Sequence, residues 1–183
     1  MRFKRRRGAV TADLDAGEAG LLAALAEDLL GLLGEGEQVH EDPLAAMVGL
    51  SSGPLPLPED PALARLLPDA YGDDPEAATE FRRYTEADLR AGKKHAAGVV
   101  LATLRPLLGQ GGRLALDRDQ VDAWLGTLND LRLVLGTRLE VTEDTEVDPA
   151  ADDPHTQALH VYGFLGYLQE TLLGAVDPVL PGG

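Results

Sequence analysis

Two helix-start signatures constrain this chain most. Asp15-Ala-Gly-Glu18 and Asp117-Arg-Asp-Gln120 each set an acid at an N-cap with Glu or Gln three residues later. Such a pair reciprocally satisfies backbone donors left open by the first helical turn. Apolar residues at helical spacing follow each one. The first run is Leu21, Leu22, Leu25, Leu29, Leu32 and Leu33, ended by Gly34 and Gly36. The second is Val121, Trp124, Leu125, Leu128, Leu131, Leu135 and Leu139. Asp74-Pro75 and Asp153-Pro154 open two further helices, with proline at the first helical position, where its missing N–H costs nothing. One is expected to reach about Leu108, with Thr85-Glu-Ala-Asp88 as a restart or bend, and the other about Val176. A short helix over Ala62–Leu67 should stop at Pro68.

Aromatic residues make up only 4% of the chain, so Leu, Ala and Val must build the core, which favours helix over sheet. The expected fold class is mainly α: one compact domain over residues 1–183, with five to six helices and a small β element. That element is the basic N-terminal arm, residues 1–14, read as an extended segment or hairpin with Gly8 at a turn, pairing with a strand at Leu114–Leu116. Residues 49–61 form a Pro/Gly-rich loop and residues 140–153 an acidic one.

Charge is unevenly spread. The net charge is −15, yet Arg2, Lys4, Arg5, Arg6 and Arg7 sit together without an acid, leaving 11 bases against 31 acids elsewhere. A body this acidic repels phosphate backbones, so any nucleic-acid contact must use the arm. The absence of cysteine excludes disulfides, zinc–thiolate sites and thiol nucleophiles within these 183 residues. No run of about 18 apolar residues offers a membrane span, and the cytoplasm is the expected location.

Patterns that suggest chemistry lack their context. Gly49-Leu-Ser-Ser-Gly53 has the nucleophile-elbow spacing, but Pro54, Pro56 and Pro58 forbid the helix that must follow. Glu37-Gln-Val-His40 is a single copy of a motif that di-iron bundles use in pairs. His95, His155 and His160 have no ligand partner at i+4 and read as surface or satisfied core residues. The acids of 140–153 lack calcium-loop spacing, and no phosphate-cradling glycine motif occurs. Arg90, Lys93 and Lys94 read as a solvated helix face, with a phosphate or acidic-partner contact as the alternative. No metal, cofactor or catalytic residue is expected.

Three segments carry a resemblance: Leu67-Pro-Asp-Ala-Tyr71-Gly-Asp-Asp74, Glu80-Phe-Arg-Arg83 with Thr85, and Trp124-Leu-Gly-Thr-Leu-Asn-Asp-Leu-Arg-Leu-Val-Leu-Gly-Thr-Arg138-Leu139. Together they resemble an actinobacterial family of oxidative-stress transcriptional regulators (the AosR family), formerly a domain of unknown function. The resemblance implies a DNA-associated regulator that contacts a sigma factor, and a neighbouring role in ATP-dependent proteolysis. A redox-responsive member switches through a cysteine pair, and this chain has no cysteine with which to do so.

The leading expectation is therefore a non-enzymatic regulator acting through a protein partner, a sigma factor or a second copy of itself, with DNA association through the arm. A small-molecule sensor or an enzyme with a polar pocket is the competing class, and an accessory factor of proteolysis a third. Glu80, Arg82, Asn129, Asp130, Arg132 and Arg138 are expected to form an interhelical polar network or a partner site, with Arg132 paired to an acid. The last helix is apolar on more than one face. Tyr162, Phe164 and Tyr167 there suggest an interface, and Gly163 and Gly166 a close backbone approach. Burial of the same aromatics within the monomer is the alternative.

Overall fold

A computed structural model describes residues 1–6, 9–34, 58–68, 75–145 and 153–176, with backbone alone over 75–81 and at 83. The described residues form three strands, β1 (Lys4–Arg6), β2 (Ala9–Leu14) and β3 (Gly112–Leu116). They also form five helices: α1 (Ala16–Leu33), α2 (Pro61–Leu66), α3 (Pro75–Leu104), α4 (Arg118–Arg138) and α5 (Pro154–Val176). The mainly α class with a small β element is borne out. Asp74, Gly36 and residues 49–57 of the Pro/Gly-rich loop lie outside the described residues, as do residues 146–152 of the acidic loop.

Both capping boxes form as the sequence requires. The Asp15 carboxylate accepts the Glu18 amide at 2.8 Å while Glu18 accepts that of Asp15 at 3.0 Å. Asp117 and Gln120 exchange the same bonds at 2.9 and 3.0 Å. Asp153 caps α5 by accepting the amides of His155 at 2.9 Å and Thr156 at 3.1 Å. The short helix starts at Pro61, one residue earlier than expected, because Asp60 caps it through the Ala62 amide at 2.8 Å.

Two expectations about α3 are corrected. The helix runs unbroken through Thr85–Asp88, and it ends at Leu104 instead of near Leu108. Pro106 has no N–H to offer the preceding turn and disfavours the helical conformation of its neighbour. The chain therefore tightens into a 3-10 turn over Arg105–Leu107.

The sheet has the order β1-β2-β3 and is antiparallel throughout, with Arg5 opposite Val10 and Ala12 opposite Leu114. The arm thus pairs with the 114–116 segment as expected, in a strand that begins earlier, at Gly112. Gly111 permits this closure. Its φ is +69°, and a Cβ there would stand 2.6 Å from the Leu14 carbonyl oxygen.

β2 alternates, turning Val10, Ala12 and Leu14 inward onto helices that contribute Leu22, Leu29, Leu104, Leu128, Leu165 and Leu172 to the same cluster. Trp124 is fully buried there. Its indole N–H donates to Thr103 Oγ1 at 3.0 Å, and the Phe3 ring meets it edge-on, 5.5 Å between centroids at 76°. The Phe3 amide donates to Thr171 Oγ1 on α5 at 3.4 Å, and the Met1 ammonium pairs with Glu18 on α1. Replacing Phe3 with Ala should cost about 3–5 kcal/mol by opening a core cavity. Urea unfolding checks this, and an unchanged midpoint would show that Phe3 anchors nothing.

Candidate functional site

The residues expected to form one polar network separate into distinct contacts. Asp130 is buried on α4, and its acceptor oxygen takes the Lys93 ammonium of α3 at 2.6 Å. Arg132 does not meet an acid among the described residues. Its guanidinium donates to Gln169 Oε1 at 2.6 Å and lies 5.3 Å over the Tyr162 ring on α5. Gly166 leaves room for that guanidinium, 3.6 Å from where its Cβ would be, and Gly136 does the same for the Tyr162 ring at 3.3 Å. The close approach expected at Gly163 and Gly166 is therefore made at Gly166 alone, by a side chain; a Cβ on Gly163 would meet nothing within 4 Å.

Arg138 reaches the α2 cap residue Asp60 at 3.7 Å, Asn129 is exposed, and Arg82 is buried on α3. The Glu80 side chain lies outside the described residues.

Arg90, Lys93 and Lys94 are not a solvated face. Arg90 donates to the Leu33 carbonyl and pairs with Glu86 at 2.6 Å, while Lys94 donates to the Gly34 carbonyl at 3.0 Å. Helix α1 has no base in its own last turn, so α3 supplies cations to its negative C-terminal end. Replacing Lys93 with Met should leave the Asp130 carboxylate buried and uncompensated, at a cost of about 3 kcal/mol. Denaturant unfolding measures this; no change would mean that Asp130 finds another partner.

The basic arm is an ordered strand at the edge of the sheet, with Arg2, Lys4, Arg5 and Arg6 exposed and Arg7 outside the described residues. It forms one wall of an open groove of about 880 Å³, whose other wall is the C-terminal half of α5. Arg2, Lys4 and Arg5 line it on one side, and Tyr167, Glu170 and Leu173 on the other. Tyr167 is 44% exposed and Leu173 51%.

The three interface aromatics do not share a surface. Tyr162 packs against α4, Phe164 is half-buried against the core, and Tyr167 alone opens onto the groove. Glu170 was not singled out in sequence, and Leu173 only as one of the apolar residues covering more than one face of the last helix, since their role depends on where β1 docks. The exposed Leu at the end of an otherwise core-forming helix was the available signal.

A second trough, about 700 Å³, runs between α3, β3 and α4. Its floor is small and apolar, including Ala96, Val99 and Ala123, and its rim holds His95, Asp119 and Asp122.

Among the described residues, Asp13, Arg113 and Asp153 are displaced from their ordinary pKa, and none of them lines either groove. Asp13 is held low, chiefly by its hydrogen bond from Arg113 across the β2–β3 pair, and that same bond raises Arg113. Asp153 is held low first by the Thr156 hydroxyl and then by the Thr156 amide that it caps. His95, His155 and His160 are exposed, and no group of three metal-binding side chains occurs among the described residues. Ser51, Glu37 and His40 lie outside them.

The profile of a family described as "Domain of unknown function (DUF2017)" matches residues 1–176. A Mycobacterium leprae protein named "Putative oxidative stress regulator AosR" is 36% identical over 173 residues, covering 87% of this chain and 78% of that protein. Proteins named "Oxidative stress regulator AosR" from Mycobacterium bovis and Mycobacterium tuberculosis are each 34% identical over 170 residues, covering 85% of this chain and 77% of theirs. No solved structure matches. The most specific segment of the resemblance, Trp124–Leu139, lies on α4 and its C-cap, where it carries Asp130, Arg132 and Gly136. The chain belongs to this family of unknown function (DUF2017), alongside the mycobacterial proteins named as oxidative stress regulators.

Proposed function

We propose that this chain is a non-enzymatic cytoplasmic regulator of a stress response, acting by contact with a sigma-factor-like protein and with DNA through its arm. The names of its relatives support a regulatory role. The observation that carries the contact reading is the run Lys4–Arg6, displayed on an ordered edge strand beside exposed Tyr167 and Leu173 in a chain of net charge −15. Catalytic sites gather perturbed acids and bases in a cleft, whereas Asp13, Arg113 and Asp153 titrate abnormally because of local surface pairs. No described helix is long and apolar enough to cross a membrane. With no cysteine in these 183 residues, the contact does not depend on a disulfide within them.

Affinity capture from the native cell, read by mass spectrometry, tests this. Wild type should recover a sigma factor or another transcription component, and the Lys4→Glu/Arg5→Glu variant should lose it. Peroxide should leave recovery unchanged. Recovery of metabolic enzymes alone, or a contact abolished by reductant, would contradict the reading. For DNA, each phosphate contact adds about 0.9 to the log–log salt slope, so the double reversal should flatten it by about 2.

A small-molecule sensor is the second reading, and the α3–β3–α4 trough favours it. Its Ala-lined floor and acidic rim suit a small cationic amphiphile. Saturable thermal stabilisation by such a compound, lost with Asp122→Asn, would support that reading.

A further inference from the structure

Several bases of the body meet a partner, while Arg65, Arg105 and Arg118 stand exposed on three different elements. Those on the body that meet a partner are spent internally: Arg90 and Lys94 on the end of α1, Lys93 on Asp130, Arg132 on Gln169, Arg138 on Asp60 and Arg113 on Asp13. Arg2, Lys4 and Arg5 make no side-chain ion pair or hydrogen bond among the described residues, although they line one groove wall together. Lys4, opposite Thr11, acts on Asp13 through space without bonding to it, and clustered bases that repel one another in a strongly acidic protein are placed for an anion.

The opposite wall says which anion. Tyr167 and Leu173 are large, exposed and turned into the same groove, and Glu170 stands between them in sequence. A nucleic-acid duplex carries one charge per about 1.7 Å and no apolar side chains. Within the groove it would meet Glu170 and leave Tyr167 and Leu173 unused, so DNA contact by the arm belongs to its surface outside the groove, where Arg6 is exposed. A protein segment with a few carboxylates and an apolar anchor satisfies both walls. Carboxylates take the charged, forked donors of arginine well, and tyrosine is a favoured anchor at protein interfaces.

We propose that the groove between β1 and the C-terminal half of α5 docks an acidic, apolar-anchored segment of a partner protein. Its carboxylates meet Arg2, Lys4 and Arg5, and its anchor lies between Tyr167 and Leu173. This deepens the partner reading above and rests on it for the existence of a partner.

The test uses the full chain and fluorescence anisotropy with three labelled probes. These are a short peptide alternating Glu and Leu around one Trp, the same peptide with Lys for Glu, and a short DNA duplex. The acidic peptide should bind saturably and the Lys peptide should not. Lys4→Glu/Arg5→Glu should weaken the acidic peptide roughly tenfold or more, because two attractive charges become repulsive. Leu173→Ser should weaken it about threefold to tenfold through lost apolar contact. Arg118→Glu, at the start of α4 and outside the groove, should leave it unchanged, and melting curves should show all variants folded.

No saturable binding of the acidic peptide, or an equal loss with Arg118→Glu, would overturn the proposal. So would tighter binding of the duplex that ignores Leu173→Ser, which would make the face a nucleic-acid site. If cellular capture still recovers a transcription partner while the peptide fails, the groove assignment falls and the regulator reading stands. If capture fails as well, both fall.

Discussion

Phe3 sits where the charged and apolar parts of this chain meet. Its ring stands edge-on to Trp124 in the core, its amide reaches Thr171 on α5, and the residues that follow it are the bases of β1. An isolated two-stranded hairpin is marginal in water. Here β3 extends the sheet on one side, and Phe3 pins the arm to the helices on the other. Without that pin, the repulsion among Lys4, Arg5 and Arg6 would favour a solvated tail. With it, the same charges become a fixed surface next to α5.

The helices that hold Trp124 are joined largely by contacts in which one element completes another. α3 gives α1 the cations its own last turn lacks. α4 and α5 exchange a guanidinium and an aromatic ring over Gly166 and Gly136. Asp130 is tolerated in the interior because Lys93 reaches it from the neighbouring helix. The α4–α5 contact fixes α5 against the core, and thereby the position of Tyr167 and Leu173 relative to the arm.

Local signals in the sequence foretold the elements well. Capping boxes at Asp15 and Asp117 and the Asp153-Pro154 start are decided within one helical turn, so residue type and spacing suffice to find them. The end of α3 was missed because the apolar pattern continues past Pro106, although the proline itself forbids the helix from doing so. The site was harder to read. The arm bases were evident from composition, but their partner wall depends on which helix β1 docks against, and that is a tertiary fact. The polar residues of the Trp124–Leu139 segment were expected to share one network, and Asp130 and Arg132 instead turn to different helices. Arg132 finds Gln169 and Tyr162 because α5, not α3, crosses it, while Asp130, two residues earlier, faces α3.

Amide hydrogen exchange across residues 1–14 and 165–176, in the free protein and with its captured partner, tests the fixed-face claim most directly. Slow exchange along the β1–β2 ladder is expected already in the free protein, with added protection confined to β1 and the C-terminal half of α5 when the partner is bound. Exchange of residues 1–14 at the rate of an unstructured peptide, or partner protection appearing only at the α3–β3–α4 trough, would contradict it.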